Sequence, residues 1–255
     1  MTKKLVYIIG SKPNSILPNQ TPDEVYAVNG ASTRARELSA PNGTYRLTVK
    51  VGAGRLINDA SVRENLIKAR PEKIIYGSQV SRRDPNSVPI QSVVDINWPC
   101  EIVEKKFLEG YKEMRQLFSF FDVVKAESMQ LKYNNNYKLN LGFGIRYNIK
   151  RILKSGSFLY DITLNKKYVT QGFSAGFYAL LQAKNDFPDS VFVLAGIGVT
   201  GGLHHHGVGL MSIHRAMIDK YLVSKLPKDF TNNVYTTDLE LASASSIQLW
   251  ENHIK

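Results

Sequence analysis

The chain has one cysteine, Cys100, among its 255 residues. A single thiol excludes an intramolecular disulfide framework and fits a protein of a reducing compartment. No apolar run approaches the roughly 20 residues that a membrane-spanning helix needs. The apolar segment Leu5–Ile9 is too short for the hydrophobic region of a secretory signal, and we interpret it as a strand. We therefore expect a cytoplasmic protein, with a peripheral position at the inner membrane face left open.

Acidic residues are scarce relative to basic ones. The chain has 22 Asp and Glu against 33 Lys and Arg, which gives a formal net charge of +11. Such an excess attracts polyanions, namely nucleic acid, anionic lipid or acidic polysaccharide. RNP-like aromatic motifs, zinc-finger spacings and recognition-helix signatures are lacking, so nucleic acid is not expected as a partner. An anionic membrane surface or a glycolipid explains the charge at least as well.

Short apolar strands alternate with helical patterns along the chain. This alternation predicts an α/β fold: a Rossmann-like, mostly parallel sheet flanked by helices, in a single domain over residues 1–255. The predicted strands are Leu5–Ile9, Val25–Val28, Tyr45–Val51, Lys73–Tyr76, Glu101–Glu104, Val191–Ala195 and Val234–Thr237. The predicted helices are Asp59–Ala69 with Ser61 as a candidate cap, Phe107–Phe118, Ser174–Lys184, Ser212–Lys225 and Leu239–His253.

Two segments between these elements are polar. Arg82–Pro99 is rich in Pro, Asn and Ser and is typical of a loop. Residues 130–167 are basic and rich in Asn and Tyr. They are interpreted either as a lid or acceptor-binding excursion, or as a solvated surface segment.

Two loops follow the first two predicted strands, where doubly wound folds bind nucleotides. In the first loop Gly10 permits a turn, and the hydroxyls of Ser11 and Ser15 can hold a phosphate or a ribose. An ordinary turn is the equal alternative, because the segment matches neither G-x-G-x-x-G nor a Walker A loop. At the second strand's end, Asn29 can contact a base or sugar, or can be the αL residue of an Asn-Gly turn.

A third candidate is the segment Thr170-Gln171-Gly172, just before a predicted helix. Thr170 or Ser174 can cap that helix, and its free N–H groups and positive dipole end favour an anion. Close packing of small residues against the sheet is the alternative interpretation.

The fourth candidate is the histidine-rich loop that starts at Gly196, after the strand Val191–Ala195. It carries His204, His205 and His206, and His214 follows near the start of the next helix. Catalytic zinc commonly takes three protein ligands, and adjacent histidines rarely supply them without further partners, so no metal is expected. A helix N-terminus disfavours imidazolium, so His214 is a candidate neutral general base. A structural histidine bonded to a backbone carbonyl is the alternative.

In order and spacing these motifs resemble the bacterial lipooligosaccharide sialyltransferases, a metal-independent variant of the GT-A fold that uses CMP-sugar donors. Gly10 to Asn14 stand where that family has Gly-Asn-Gly-Pro-Ser, and Asn29 stands at its nucleotide-contacting Asn. Thr170-Gln171-Gly172 stand at its Thr-Ser-Gly, and Phe192–Gly196 at its apolar strand ending in glycine. His214 stands at its catalytic histidine. Gly10, Ser11, Asn14, Asn29, Thr170, Gln171, Gly172 and Gly196 are therefore the predicted donor-binding residues.

The resemblance implies transfer of an acidic sugar to a glycan or glycolipid hydroxyl, with inversion and without a cofactor beyond the donor substrate. His214 would be the general base. The family's phosphate-binding tyrosines have no counterpart after Gly196, so His205 and His206 are candidate replacements, and sialic acid and Kdo both stay open as the donor sugar. Two alternatives remain: another nucleotide- or metal-dependent transferase or hydrolase that uses His204–His206, and a non-catalytic polyanion-binding protein.

Overall fold

The computed structural model describes residues 3–13, 15–38, 45–80, 86–106, 117–119, 121–122, 125–126, 129, 174–200, 202–203, 210–211 and 213–250. For residues 202–203, 210–211 and 213–215 it describes the backbone alone. None of the helices in these ranges is both long and apolar enough to pass through a bilayer. The predicted helix Phe107–Phe118 and the excursion at 130–167 fall largely or wholly outside these residues.

An eight-stranded sheet, parallel throughout, forms the centre of the described structure. Its order is β10-β9-β6-β1-β2-β3-β4-β5, and β7 and β8 form a separate antiparallel pair. The α/β fold and all seven predicted strands are confirmed. The strands are β1 Leu5–Ile9, β2 Glu24–Val28, β3 Arg46–Gly52, β4 Lys73–Gly77, β5 Glu101–Lys105, β6 Val191–Ala195, β7 Gly202–Leu203, β8 Leu210–Met211, β9 Val234–Thr236 and β10 Gln248–Leu249.

Seven α-helices and two 3₁₀ turns lie within the described ranges. The 3₁₀ turns are Asn29–Ala31 and Ile90–Ser92. The helices are α1 Ser32–Ala35, α2 Ala53–Asn58, α3 Ala60–Ala69, α4 Ala175–Asp186, α5 Ile213–Val223, α6 Lys228–Thr231 and α7 Leu239–Ala244.

The two faces of the sheet are both covered, because successive strand residues point to opposite sides. Val6 and Ile8 belong to one buried cluster, which also contains residues of α4 and α5. Tyr7 and Ile9 belong to a second cluster, which contains residues of α2 and α3. Burial on both faces explains why the strands are continuous apolar runs.

The expected helix Leu239–His253 is wrong beyond Ala244. Helix α7 ends there, and the chain forms the edge strand β10. Serine hydroxyls explain the stop, because they compete for backbone groups. The Ser245 hydroxyl donates to the Leu241 carbonyl at 2.7 Å and accepts from the Ile247 N–H at 3.2 Å. The Trp250 N–H then bonds the Thr236 carbonyl at 2.8 Å, which continues the pairing of β10 with β9.

Ser61 was also expected to cap a helix, and this is wrong. It is the second residue of α3, and Asp59 occupies the N-cap position. The Ser61 hydroxyl donates to the Asp59 carboxylate at 2.7 Å.

The edge strand β5 carries charged side chains. Glu101 pairs with Lys73 of β4 at 3.1 Å and with Arg46 of β3. The hydrogen bond from Lys73 is the main cause that lowers the pKa of Glu101. Desolvation opposes it, but the charge of Lys73 and the interaction with Arg46 keep the net pKa lowered. The carboxylate is therefore ionised at neutral pH, and its two ion pairs connect β5 with β4 and β3 at the protein surface.

The strand order reverses at β1, which gives the sheet a topological switch point. From β1 the chain builds β2 to β5 outward on one side, and β6, β9 and β10 on the other. Open parallel sheets bind ligands at such a switch point, outside the carboxyl ends of the strands. Here the switch point lies at the carboxyl ends of the neighbouring strands β1 and β6.

At the opposite edge of the sheet, Lys184 of α4 lies between two aromatic rings. Its ammonium is 4.9 Å from the ring centre of Phe192 and 5.1 Å from that of Phe230, and it donates to the side chain of Asn233. Desolvation lowers the pKa of Lys184 to about 8.

The lowered pKa of Lys184 predicts that this residue adds to the stability of the protein as the pH rises from about 8 towards 10.5. In that window the folded protein has released the Lys184 proton that the unfolded chain still holds, so this residue's contribution to the free energy of unfolding increases with pH. The raised pKa values of Cys100 and Tyr7 act in the opposite direction, so the effect of Lys184 is measured as the difference between the wild type and Lys184→Met. Denaturant unfolding of both proteins at several pH values should show this difference shifting in favour of the wild type as the pH rises, and a constant difference would contradict the assignment.

Candidate functional site

The loops that follow β1 and β6 are bonded to each other at the switch point. We call residues 10–17 the β1 loop and residues 196–200 the β6 loop. The Gly10 N–H donates to the Ala195 carbonyl at 2.8 Å, and the Lys12 N–H donates to the Gly196 carbonyl at 2.9 Å. These bonds continue the β1–β6 pairing past the strand ends, so the two loops form one floor.

Both positions in this contact require glycine. A Cβ at Gly10 would lie 2.2 Å from the Gly196 carbonyl oxygen. Gly196 has a φ of 71°, and a Cβ there would lie 2.7 Å from the Gly10 carbonyl oxygen. Glycine at both positions therefore lets the two loop backbones approach each other closely.

Arg34 of α1 holds the β1 loop in place. Its Nη1 donates to the Lys12 carbonyl at 2.7 Å, and its Nη2 donates to the Ser15 carbonyl. The residue is 7% exposed, and burial lowers the pKa of the guanidinium against an opposing effect of Glu37. Arginine nonetheless stays protonated at neutral pH. The sequence analysis missed Arg34, because a single Arg in a helical segment gives no signal of its contacts.

Lys12 links the β1 loop to α7. Its ammonium pairs with Asp238 at 2.6 Å and with Glu240 at 3.0 Å, and Glu240 also accepts from the Thr200 hydroxyl at 2.7 Å. Burial lowers the pKa of Lys12, but the bonds to the two carboxylates outweigh it and the net pKa is raised. The hydrogen bond from Thr200, followed by that from Lys12, lowers the pKa of Glu240.

Asp238 also caps α7, since its Oδ1 accepts from the N–H groups of Glu240 at 3.0 Å and Leu241 at 3.3 Å. The sequence analysis missed this cluster as well. Its one signal was an acidic residue directly after the predicted strand Val234–Thr237.

Asn29 lies at the carboxyl end of β2, where it begins a 3₁₀ turn with a φ of 48°. The turn interpretation of Asn-Gly is therefore confirmed. The Asn65 side chain fixes this turn by donating to the Gly30 carbonyl at 3.0 Å. Ser11 lies at the same edge, in the β1 loop, and its role as a ligand contact stays a prediction.

His214 is the second residue of α5, for which the backbone is described here. Helix α5 connects β6 to β9, and these two strands are parallel neighbours. A helix that connects parallel neighbours runs back along the sheet, so it begins at the carboxyl edge. His214, in the first turn of α5, therefore lies at the same edge of the sheet as the switch point.

Several predicted residues lie outside the described part of the chain, namely Asn14, Thr170, Gln171, Gly172 and His204–His206. Ser174 does occupy the N-cap position of α4, but its side chain makes no capping hydrogen bond. Its hydroxyl is buried and finds no hydrogen-bond partner among the described residues.

Comparison of the chain with models of protein families, with curated proteins and with solved structures finds no match. Function is therefore argued from the site itself: a glycine floor, a buried guanidinium, an ion-paired lysine and a helix start with histidine.

The glycine floor predicts that Gly10→Ala destabilises the protein by about 2 kcal/mol or more, because backbone atoms cannot move aside cheaply. Denaturant unfolding measures the loss. Gly52→Ala is the matched control, since Gly52 ends β3 at the same edge and a Cβ there would meet nothing within 4 Å. Equal stabilities of the two variants would contradict the contact.

Proposed function

We propose that the protein is a glycosyltransferase that moves an acidic sugar, sialic acid or Kdo, from a CMP-activated donor to a glycan or glycolipid hydroxyl. The observation that carries the proposal is the convergence of Gly10, Asn29, Gly196 and the start of α5 at one edge of a doubly wound sheet. These residues come from four separate segments, and each stands at a motif position of the CMP-sugar transferases that the chain resembles.

The floor at the switch point suits a nucleotide donor. The contact between Gly10 and Gly196 holds the backbones of both loops side by side at the switch point, where a nucleotide donor would bind. The Asn29 side chain lies beyond the end of the neighbouring strand, where a base or ribose of a bound nucleotide would extend.

His214 is proposed as the general base. Near a helix N-terminus the dipole favours neutral imidazole, which is the form that accepts a proton. The imidazole takes the proton of the acceptor hydroxyl as its oxygen bonds the anomeric carbon. The bond between that carbon and the phosphate oxygen breaks, its electron pair leaves with CMP, and the configuration inverts.

The charge of the chain supports the choice of substrates. CMP departs with a phosphate whose developing charge needs stabilisation, and the Arg34 guanidinium offers positive charge at the switch point. The net charge of +11 favours an acidic glycolipid acceptor at a membrane surface.

Cytidine nucleotides are predicted to raise the melting temperature more than UMP, GMP or AMP, because a ligand that binds only the folded state stabilises it. Thermal unfolding with each nucleotide, with and without EDTA, tests this. A cytidine-specific shift that EDTA leaves unchanged supports the proposal. No cytidine preference contradicts it, and a large loss of stability in EDTA favours a metal-dependent enzyme instead.

His214→Ala is predicted to lower the rate of transfer from CMP-sialic acid or CMP-Kdo by about 100-fold or more, as expected for loss of a general base. The CMP-induced thermal shift should remain. Met217→Ala, at an exposed position of the same helix, is the control and should keep the wild-type rate. A His214→Ala enzyme with unchanged turnover would overturn the assignment of the base.

A further inference from the structure

Arg34 differs from the other basic residues of the described structure in its burial, and it forms no ion pair within 4.0 Å there. The exposed fraction of Arg34 is 7%, and among the described residues no other lysine or arginine is buried. Ion pairs within 4.0 Å are formed there by Lys4, Lys12, Arg36, Arg46 and Lys73, but no described carboxylate lies within that distance of Arg34.

A buried guanidinium without a carboxylate is costly, because water is removed from a charge that nothing neutralises. A buried lysine can reduce this cost by releasing its proton, as the lowered pKa of Lys184 illustrates. An arginine cannot. The carbonyl oxygens of Lys12 and Ser15 satisfy two N–H groups of Arg34. They supply partial dipoles but no full negative charge.

The position of Arg34 indicates where a counter-charge would bind. Its Nη1 lies 3.1 Å from the point that a Cβ on Gly196 would occupy, so the guanidinium lies against the glycine floor. The other cation near the switch point, Lys12 of the β1 loop, is already neutralised by Asp238 and Glu240. Arg34 has no carboxylate partner within 4.0 Å among the described residues, and only Glu37, beyond that distance, acts on it electrostatically. Its positive charge at the switch point is therefore only weakly compensated.

We infer that the switch point is an oxyanion-binding site in which Arg34 is a binding residue, and that the ligand supplies the missing negative charge. A guanidinium has five N–H donors, and the two bonds to loop carbonyls leave donors for an oxyanion. The identity of the ligand rests on the proposed function: a CMP-activated acidic sugar offers its phosphate and its carboxylate. The presence of an oxyanion site does not depend on cytidine or on catalysis.

The test compares Arg34→Gln with the wild-type protein in binding CMP, cytidine, inorganic phosphate and free sialic acid, by thermal shift at constant ionic strength. Loss of a charge-assisted hydrogen bond should weaken binding of the oxyanion about tenfold or more, and should leave cytidine unaffected. Arg36→Gln is the matched control, because Arg36 is exposed on the neighbouring turn and pairs with Glu72 at 2.9 Å. It removes the same charge and should bind all four ligands as the wild type does.

Dependence of CMP and phosphate binding on Arg34 identifies the phosphate as the oxyanion, and dependence of sialic acid binding identifies the carboxylate. If Arg34→Gln and wild type bind all anions equally, the inference is overturned. Phosphate binding that requires Arg34 without any preference for cytidine would instead keep the oxyanion site and remove the CMP donor.

Hydrogen exchange of the wild-type protein covers the case in which Arg34→Gln does not fold. Phosphate, compared with chloride at equal ionic strength, should slow exchange at the amides of Ser11 and Gly198, which lie in the two loops at the switch point. Identical exchange in the two salts would overturn the inference without any variant.

Discussion

The main-chain contact between Gly10 and Gly196 is the constraint on which the arrangement of the site depends. It joins the loops after β1 and β6 with backbone atoms alone, so neither loop can shift without the other. Arg34 fixes the β1 loop from the α1 side, and Lys12 fixes it from the α7 side. Elements from both halves of the sheet are thus tied to one point, which is also where the strand order reverses.

The charges around this point differ in how they are compensated. Lys12 is held between two carboxylates, and its role is to connect the β1 loop to α7. Arg34 is held by carbonyl oxygens, which orient a guanidinium but do not neutralise it. Lys12 of the β1 loop and Arg34 of α1, which contacts that loop, therefore differ in their effects. The first stabilises the ligand-free structure, and the second leaves a positive potential that favours an anion.

The central strands were predictable, because strands buried on both faces are continuous apolar runs with little ambiguity. The positions of Gly10 and Gly196 at the strand ends were predictable, since each directly follows such a run, but their contact with each other was not. The contacts of Arg34 and the cluster of Lys12 with Asp238 and Glu240 were not, because Lys12 and Asp238 are 226 residues apart in sequence. Strand β10 was missed since two residues on the sheet edge carry no periodic pattern, and the helical pattern from Leu239 overrode them.

The ion pairs of Glu101 on β5 have a consequence for the behaviour of the protein at high concentration. β5 is an outer strand of the sheet, so one side of its backbone has no strand partner among the described residues. An unpaired edge is a template on which another chain can add a strand. Glu101, bound to Lys73 and Arg46, places fixed charges along this edge. A strand added there would have to desolvate them, so the edge opposes growth of the sheet from one molecule into the next.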